Sequence, residues 1–403
     1  MKYKNLNLKY ALINATFMML VCATAGYAYN FLSQSGFADG TVGIIITLIS
    51  ICGLIGQAVA GGIVDKSEKI DEKMFISGAM IVTAVLALLM AFIPSGSVLM
   101  IPVVIIGFTS AAIGLPFFNS LAFVYEKDGQ KINYGLGRGV GSAAYAVGSS
   151  LLGTLWGWKG KTILPFYVIV FAALTFALVS WMPTPSKTVS DGEGEKEQTA
   201  ANMSYVQFFR KYDKILLIVV SLILMYFCHM MTNTYIAKVI TNIIGEQAAS
   251  VSGAVEAIQG RALFIQAMVE LPTMFLFSQI LKKVSVNKLM IVAAVVFTIK
   301  HAMTWLSTST LMLYGAMVLQ ILGFALMTPA SVYFANQNVQ PEDRNKGQAI
   351  FGASATFGGL LASAIGGQLF QYMSTSNVIM IGVIASAIGT ALMIIGIRRF
   401  ETE

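Results

Sequence analysis

The sequence predicts an all-α membrane protein with twelve transmembrane helices in two pseudo-symmetric six-helix bundles, and three observations carry that reading. Hydrophobic residues make up 56% of the chain and charged residues only 11%, against about 25% charged in soluble domains. Apolar runs of about 20 residues, the length a helix needs to cross the hydrocarbon core, recur twelve times. A polar stretch near the middle of the chain divides them six and six.

In chain order the runs cover 10–33, 41–63, 74–93, 98–125, 132–157 and 161–182, then 214–244, 251–279, 287–307, 309–336, 347–372 and 376–398. The first could imitate a cleavable signal peptide, with Lys2, Lys4 and Lys9 ahead of Ala23-Thr24-Ala25. It continues past those small residues to Phe31, as a first membrane helix would. Lys and Arg fall almost wholly in one set of alternate connections, and the opposite set holds only Lys159 and Lys161. Cytoplasmic loops carry that excess, so both termini are expected in the cytoplasm, across a membrane of the bacterial inner (cell) type. The net charge of +7 is this loop asymmetry and calls for no nucleic-acid partner.

The predicted domains are an N-terminal bundle over 1–182, a linker over 183–213 and a C-terminal bundle over 214–403. The linker is rich in Glu, Gly, Ser and Thr and too polar to bury a core. Its last part, 204–214, mixes aromatic and basic residues and suits the membrane surface. The fifth and eleventh runs are rich in glycine, which lets membrane helices approach closely. Cys22, Cys52 and Cys228 lie in separate runs without metal-ligand spacing and read as buried small apolar residues.

The eighth run carries the densest polar signal. At 100° per residue, Ser252, Glu256, Gln259, Gln266, Glu270 and Thr273 share one face, while Arg261 points away. Charges near the middle of a membrane helix cost roughly 2.5–3.5 kcal/mol each and mark functional candidates. Away from the ends of the runs the acids are Glu256 and Glu270 and the bases Arg138, Lys238, Arg261 and Lys300. Glu256 falls nearer the outer end and Glu270 nearer the centre. Burial and a neighbouring cation pull a carboxyl group's proton affinity in opposite directions, so a Glu facing a mobile cation can exchange protons near neutral pH. Glu270 fits that role; the alternative is a fixed ion pair with Lys300 or Arg138.

On the fifth run Arg138, Ser142, Tyr145 and Ser149 share a face, with Trp156 in the same direction. Arg offers a fork of donors to hydroxyls or a carboxylate, and an aromatic ring stacks on a sugar or a base. Arg138 could instead snorkel to the cytoplasmic surface. Tyr27, Asn30 and Gln34 share a face of the first run, and Tyr226, His229 and Asn233 one of the seventh. His301, beside Lys300, reads as a packed or hydrogen-bonded side chain. No zinc, nucleotide-phosphate or nucleophile motif is present, and no catalytic spacing points to an enzyme.

Gly61-x-x-x-Asp65-Lys66 resembles the signature loop of the major facilitator superfamily, although Ser67 to Ile70 lacks the basic residues that follow in that family. The run from Gly43 to Lys66, together with Tyr134 to Ser142, Glu270-Leu-Pro272 and Gly347 to Gly352, resembles the lactose permease type, the oligosaccharide:proton symporters. The resemblance implies the major facilitator fold, solute uptake driven by a proton gradient, and no cofactor. It implies proton coupling at Glu270, substrate contact at Arg138 and Tyr145, and a position usually held by Arg at Lys300. Asp65 and Lys66 would act in gating. The acidic sugar ligand of the fourth helix is missing, with Ala122 or Asn119 in its place. The coupling His and Glu of the tenth helix fall on Gly323 and Leu326.

The resulting expectation is a proton-coupled carrier of a small polar solute, a sugar or nucleoside. Arg138, Ser142, Tyr145, Asn119, Tyr27, Asn30, Asn233 and Lys300 would bind substrate. Its partners would be that solute, the proton and the lipid bilayer. Rival readings are an organic-anion exchanger or facilitator using Arg138 and Lys300, an efflux carrier for drugs or metabolites, and a non-transporting sensor or scaffold.

Overall fold

The computed structural model describes residues 5–67, 70–184 and 204–401. Among these there are helices and turns and no strand. Helix α1 (Leu6–Val21) is carried on by a π turn at Cys22–Gly26 and by helical Ala28–Gln34. It is followed by α2 (Asp39–Lys66), α3 (Glu72–Phe92), α4 (Met100–Ser120), α5 (Tyr134–Lys159) and α6 (Ile163–Trp181). A short helix, Tyr205–Lys211, leads to α7 (Asp213–Thr234), which resumes beyond Tyr235 as Ile236–Ile244. Then come α8 (Ala254–Leu281) and α9 (Val286–Trp305). In α10, Thr310–Val318 passes through a 3-10 turn at Leu319–Ile321 into Phe324–Asn338. Helices α11 (Arg344–Tyr372) and α12 (Thr375–Glu401) complete the chain.

Eleven continuous helical stretches among the described residues are long and apolar enough to cross a membrane. One of them, Tyr134–Trp181, contains both α5 and α6, so the twelve crossings expected from hydropathy are present. Gly160, at φ +57°, lets the chain leave α5 without a β-carbon clash. Asp71, Asn133 and Ser309 each accept a backbone N–H of the helix they precede, which satisfies donors that a helix start leaves open. The segment expected at the membrane surface contains the short helix, whose Ser204 and Gln207 form a capping box. The rest of the expected linker, 185–203, lies outside the described residues.

The chain falls into two compact units, Met1–Val189 with Glu246–Met268, and Ser190–Gly245 with Val269–Glu403. The first half of α8 therefore packs with the first unit and its second half with the second. In the first unit α1 packs on α5 and α6, and α3 on α4 and α6. In the second, α7 packs on α11 and α12, and α9 on α10 and α12. Adding six to each helix number converts one scheme into the other, which is the pseudo-symmetry read from the sequence.

The glycine-rich helices pack as their composition predicts. A β-carbon at Gly148 of α5 would lie 2.8 Å from the Tyr167 hydroxyl and 3.0 Å from Met19 Cγ. One at Gly358 of α11 would lie 2.7 Å from Tyr226 Cβ and 2.8 Å from Phe227 N. Cys22 and Cys228 are buried as expected, but Cys52 is exposed. It lies on α2, much of whose surface is open apolar side chains such as Ile51, Leu54 and Ile55. An apolar run shows that a helix meets lipid, and does not show which side meets protein.

Candidate functional site

In the first unit, the π turn breaks the regular bonding of α1 between Cys22 and Gly26, the kind of interruption often found where backbone groups serve other partners. The Gly26 carbonyl accepts a hydrogen bond from Gln259 Nε2 at 2.7 Å. Tyr27, fully buried, donates its hydroxyl to the Ser149 carbonyl on α5 at 2.7 Å and lies 3.3 Å from the Glu256 carbonyl. Its ring stacks near that of Trp156, with centroids 5.7 Å apart.

One turn further along α1, Asn30 Nδ2 and Gln34 Nε2 both donate to Glu256 Oε1, at 2.9 and 2.8 Å. Gln34 in turn accepts from Trp156 Nε1 at 3.0 Å. Glu256 is thus only 2% exposed and held by two amides, although its place near the end of the run suggested an outer surface position. Its depth is set by what covers it: Asn30 and Gln34 close over the carboxylate. In this structure Tyr27 and Asn30 are engaged with α5 and α8, where the sequence had suggested solute contact.

Helix α5 presents the face anticipated for it. Arg138, Ser142 and Tyr145 are half-buried, whereas Ser149 and Trp156 are buried. The Tyr145 hydroxyl comes 3.1 Å from where a β-carbon on Gly26 would stand. The Asn119 side-chain oxygen on α4 is buried and accepts no bond from the described residues. Arg261 is exposed, as its position on the far side of α8 predicted. Asp65 and Lys66 are the last residues of α2; their side chains lie outside the described residues.

In the second unit the polar groups form a connected chain. Gln320 Nε2 donates to Glu270 Oε1 at 2.7 Å, and Gln320 Oε1 accepts from Lys300 Nζ. Lys300 is 1% exposed. Gln320 sits in the 3-10 turn of α10, and beside it Thr273 of α8 donates to the Ile321 carbonyl at 2.7 Å. The break in α10 thus places an amide between the acid of α8 and the base of α9. Gly323, where the resemblance locates the missing family histidine, follows this break with φ −87° and ψ −101°, and Leu326 is buried.

Sequence reasoning missed Gln320. The signal that could have found it is a lone amide inside the apolar run 309–336. Lys238 lies over the Phe370 ring at 5.5 Å. His229, Asn233 and His301 also meet in this unit: His229 Nδ1 is 3.3 Å from His301 Nε2, and His229 Nε2 is 3.0 Å from Asn233 Nδ2.

Solved structures resemble this architecture from end to end. The nucleoside transporter NupG aligns with a TM-score of 0.77 at 15% identity, over 98% of this chain and 99% of that one. A bacterial homologue of the iron transporter ferroportin, in an inward-facing state, aligns at 0.70 and 11% identity, over 97% and 98%. A bacterial homologue of the human lysosomal transporter Spinster aligns at 0.67 and 12%, over 98% and 97%. At such identities the likeness is one of fold. No curated protein sequence matches the chain. Residues 9–381 match the MFS_1 like family, and with that match over most of its length the chain belongs to this family of membrane transporters.

Proposed function

We propose that the protein is a secondary transporter that takes up a small polar solute with a proton, by alternating access, in a bacterial-type inner membrane with both termini cytoplasmic. The observation that carries the reading is the hydrogen-bonded chain from half-buried Glu270 through buried Gln320 to buried Lys300. The Gln320 amide is oriented by both ends, giving its N–H to the carboxylate and its oxygen to the ammonium. Protonation of Glu270 removes the negative charge and turns an acceptor into a donor, which undoes the reason for that orientation. The charge balance around Lys300 changes with it, so proton binding and solute binding are linked.

Arg138, Ser142 and Tyr145 supply hydrogen bonds and a ring face for the same solute, with Asn119 and Asn233 as further polar contacts. Asp65 and Lys66 act in gating. No cofactor is needed, since the proton gradient drives transport. The resemblance to the lactose permease type supports proton coupling, while Ala122 and Asn119 in place of an acid weigh against an oligosaccharide. The likeness to a nucleoside transporter over the full chain favours a nucleoside.

Uptake of labelled uridine into proteoliposomes tests this. An inward proton gradient should drive accumulation, and Glu270→Gln should abolish it while leaving exchange of uridine for uridine. Undiminished gradient-driven accumulation in Glu270→Gln would remove the proton role. Three buried or half-buried bases, Arg138, Lys238 and Lys300, against two acids favour an organic anion as second reading. Inhibition of uptake by carboxylates and by neither uridine nor sugars would establish that alternative.

A further inference from the structure

The chain has two histidines in 403 residues, and they are bonded to each other. Their protonation pattern follows from the partners. His301 Nδ1 lies 2.7 Å from the Phe297 carbonyl, which can only accept, so Nδ1 carries the hydrogen. In the neutral ring Nε2 is then an acceptor, and His229 Nδ1, 3.3 Å away, must be the donor. That leaves His229 Nε2 as an acceptor, and the group 3.0 Å from it is Asn233 Nδ2, a donor. Every link agrees with one direction of donation, running from Asn233 through His229 and His301 to a backbone carbonyl. Both rings are buried, at 3% and 0% exposure, while Asn233 is half-buried. His229 is further held by stacking on Phe324, with centroids 4.9 Å apart.

We infer that His229 and His301 are positioning residues: a neutral, tautomer-locked pair that fixes the Asn233 amide with an N–H toward His229 and its carbonyl oxygen free for the solute. The inference rests on the reading of Asn233 as a solute contact. An amide held this way recognises a planar group with a donor beside an acceptor, as on the edge of a nucleobase. Without the pair, Asn233 could turn over and present the opposite pattern. A proton added to His301 would reverse the chain, making its Nε2 a donor, moving the His229 hydrogen to Nε2 and inverting the amide.

Because only two histidines exist, nitrogen-15 NMR of histidine-labelled protein in nanodiscs reads the pair directly. Both rings should be neutral with the hydrogen on Nδ1, the minor form of free histidine. A hydrogen on Nε2 of either ring, or a doubly protonated ring, overturns the inference. In His301→Leu the remaining ring should move to the Nε2–H form, whereas in His301→Gln the glutamine oxygen can accept from His229 and keep Nδ1–H. Uridine uptake is then compared in the same variants. His301→Leu should raise KM about tenfold, equivalent to about 1.4 kcal/mol, with kcat nearly unchanged, and His301→Gln should restore KM. A shifted tautomer with unchanged KM would overturn the role in recognition. Absence of uridine uptake by the unaltered protein would instead overturn the nucleoside reading, while the NMR result would still decide the state of the pair.

Discussion

The two units repeat one another in three places that the sequence alone does not display. Lys9, at the start of α1, donates to the Trp181 carbonyl at the end of α6, and Lys214, at the start of α7, donates to the Arg399 carbonyl near the end of α12. Each ammonium also lies over an aromatic ring, Trp181 or Phe400. Tyr27 interrupts α1 and donates to the Ser149 carbonyl of α5, while Tyr235 interrupts α7 and donates to the Ser363 carbonyl of α11 at 3.0 Å. Repetition thus falls on groups that complete backbone bonding at helix ends and interruptions. The groups suited to chemistry are not repeated: Glu256 under two amides belongs to the first unit, and Glu270, Gln320, Lys300 and the histidine pair to the second. What is shared holds the fold, and what differs is where solute and proton handling is to be sought.

The comparison is open to attack by substitution, and the largest effect is expected at an unrepeated group. Glu256→Ala strands the buried Asn30 amide, at about 1–3 kcal/mol, while the exposed Gln34 amide can turn to water. Glu256→Gln keeps an acceptor and should recover most of that loss in denaturant unfolding of the detergent-solubilised protein. Equal loss in the two variants would mean the carboxylate is not there to accept. Next is helix contact. Gly358→Ala drives a β-carbon into Tyr226 and the Phe227 backbone and should cost about 1–3 kcal/mol. On α5, by contrast, Gly141→Ala meets Met18 Cγ at 3.1 Å, a flexible group, and the gain in helix propensity of about 1 kcal/mol should leave it near neutral.

Smaller effects test the repeats themselves. Tyr27→Phe and Tyr235→Phe should each lose about 1 kcal/mol, with Tyr27 the costlier because its hydroxyl also meets the Glu256 carbonyl. A cost at one tyrosine only would show that the resemblance between the two interruptions is superficial. The least effect belongs to Lys211, the last residue of the short helix Tyr205–Lys211, bonded to Asp343 at 2.8 Å. Asp343 holds the Lys211 ammonium's pKa above its ordinary value of 10.5. The stabilisation is therefore full at neutral pH and is lost as pH rises beyond that value. Lys211→Met should lower the melting temperature slightly at pH 7, and the difference from the unaltered protein should vanish in strongly alkaline buffer.

Helix positions were legible in the sequence because twelve apolar runs leave few other arrangements. The polar face read for α8 was Ser252, Glu256, Gln259, Gln266, Glu270 and Thr273, from 3.6-residue periodicity; Glu256, Gln259, Gln266 and Thr273 are buried and Glu270 half-buried, whereas Ser252, ahead of the helix, is exposed. Interruptions were not: nothing in the unbroken apolar runs marks the π turn at Cys22–Gly26 or the break at Tyr235. The depth of Glu256 was misjudged because position along a helix says nothing about a cover supplied by Asn30 and Gln34, more than 200 residues earlier. Gln320 escaped notice because it carries no charge and sits where α10 loses its regular period. The histidine pair joins residues 72 apart, and one sequence offers no periodicity that would bring them together.

The division of α8 between two units has a consequence for any attempt to cut the chain. A break in the linker would be covalently convenient, yet it would leave the 246–268 stretch on the C-terminal piece while its packing partners lie on the other. An N-terminal fragment made alone would carry the amides of Asn30 and Gln34 without the carboxylate that satisfies them. The two pieces are therefore expected to be poor proteins apart and to regain solubility when expressed together, so that co-purification of a split chain becomes a genetic readout of the Glu256 contact.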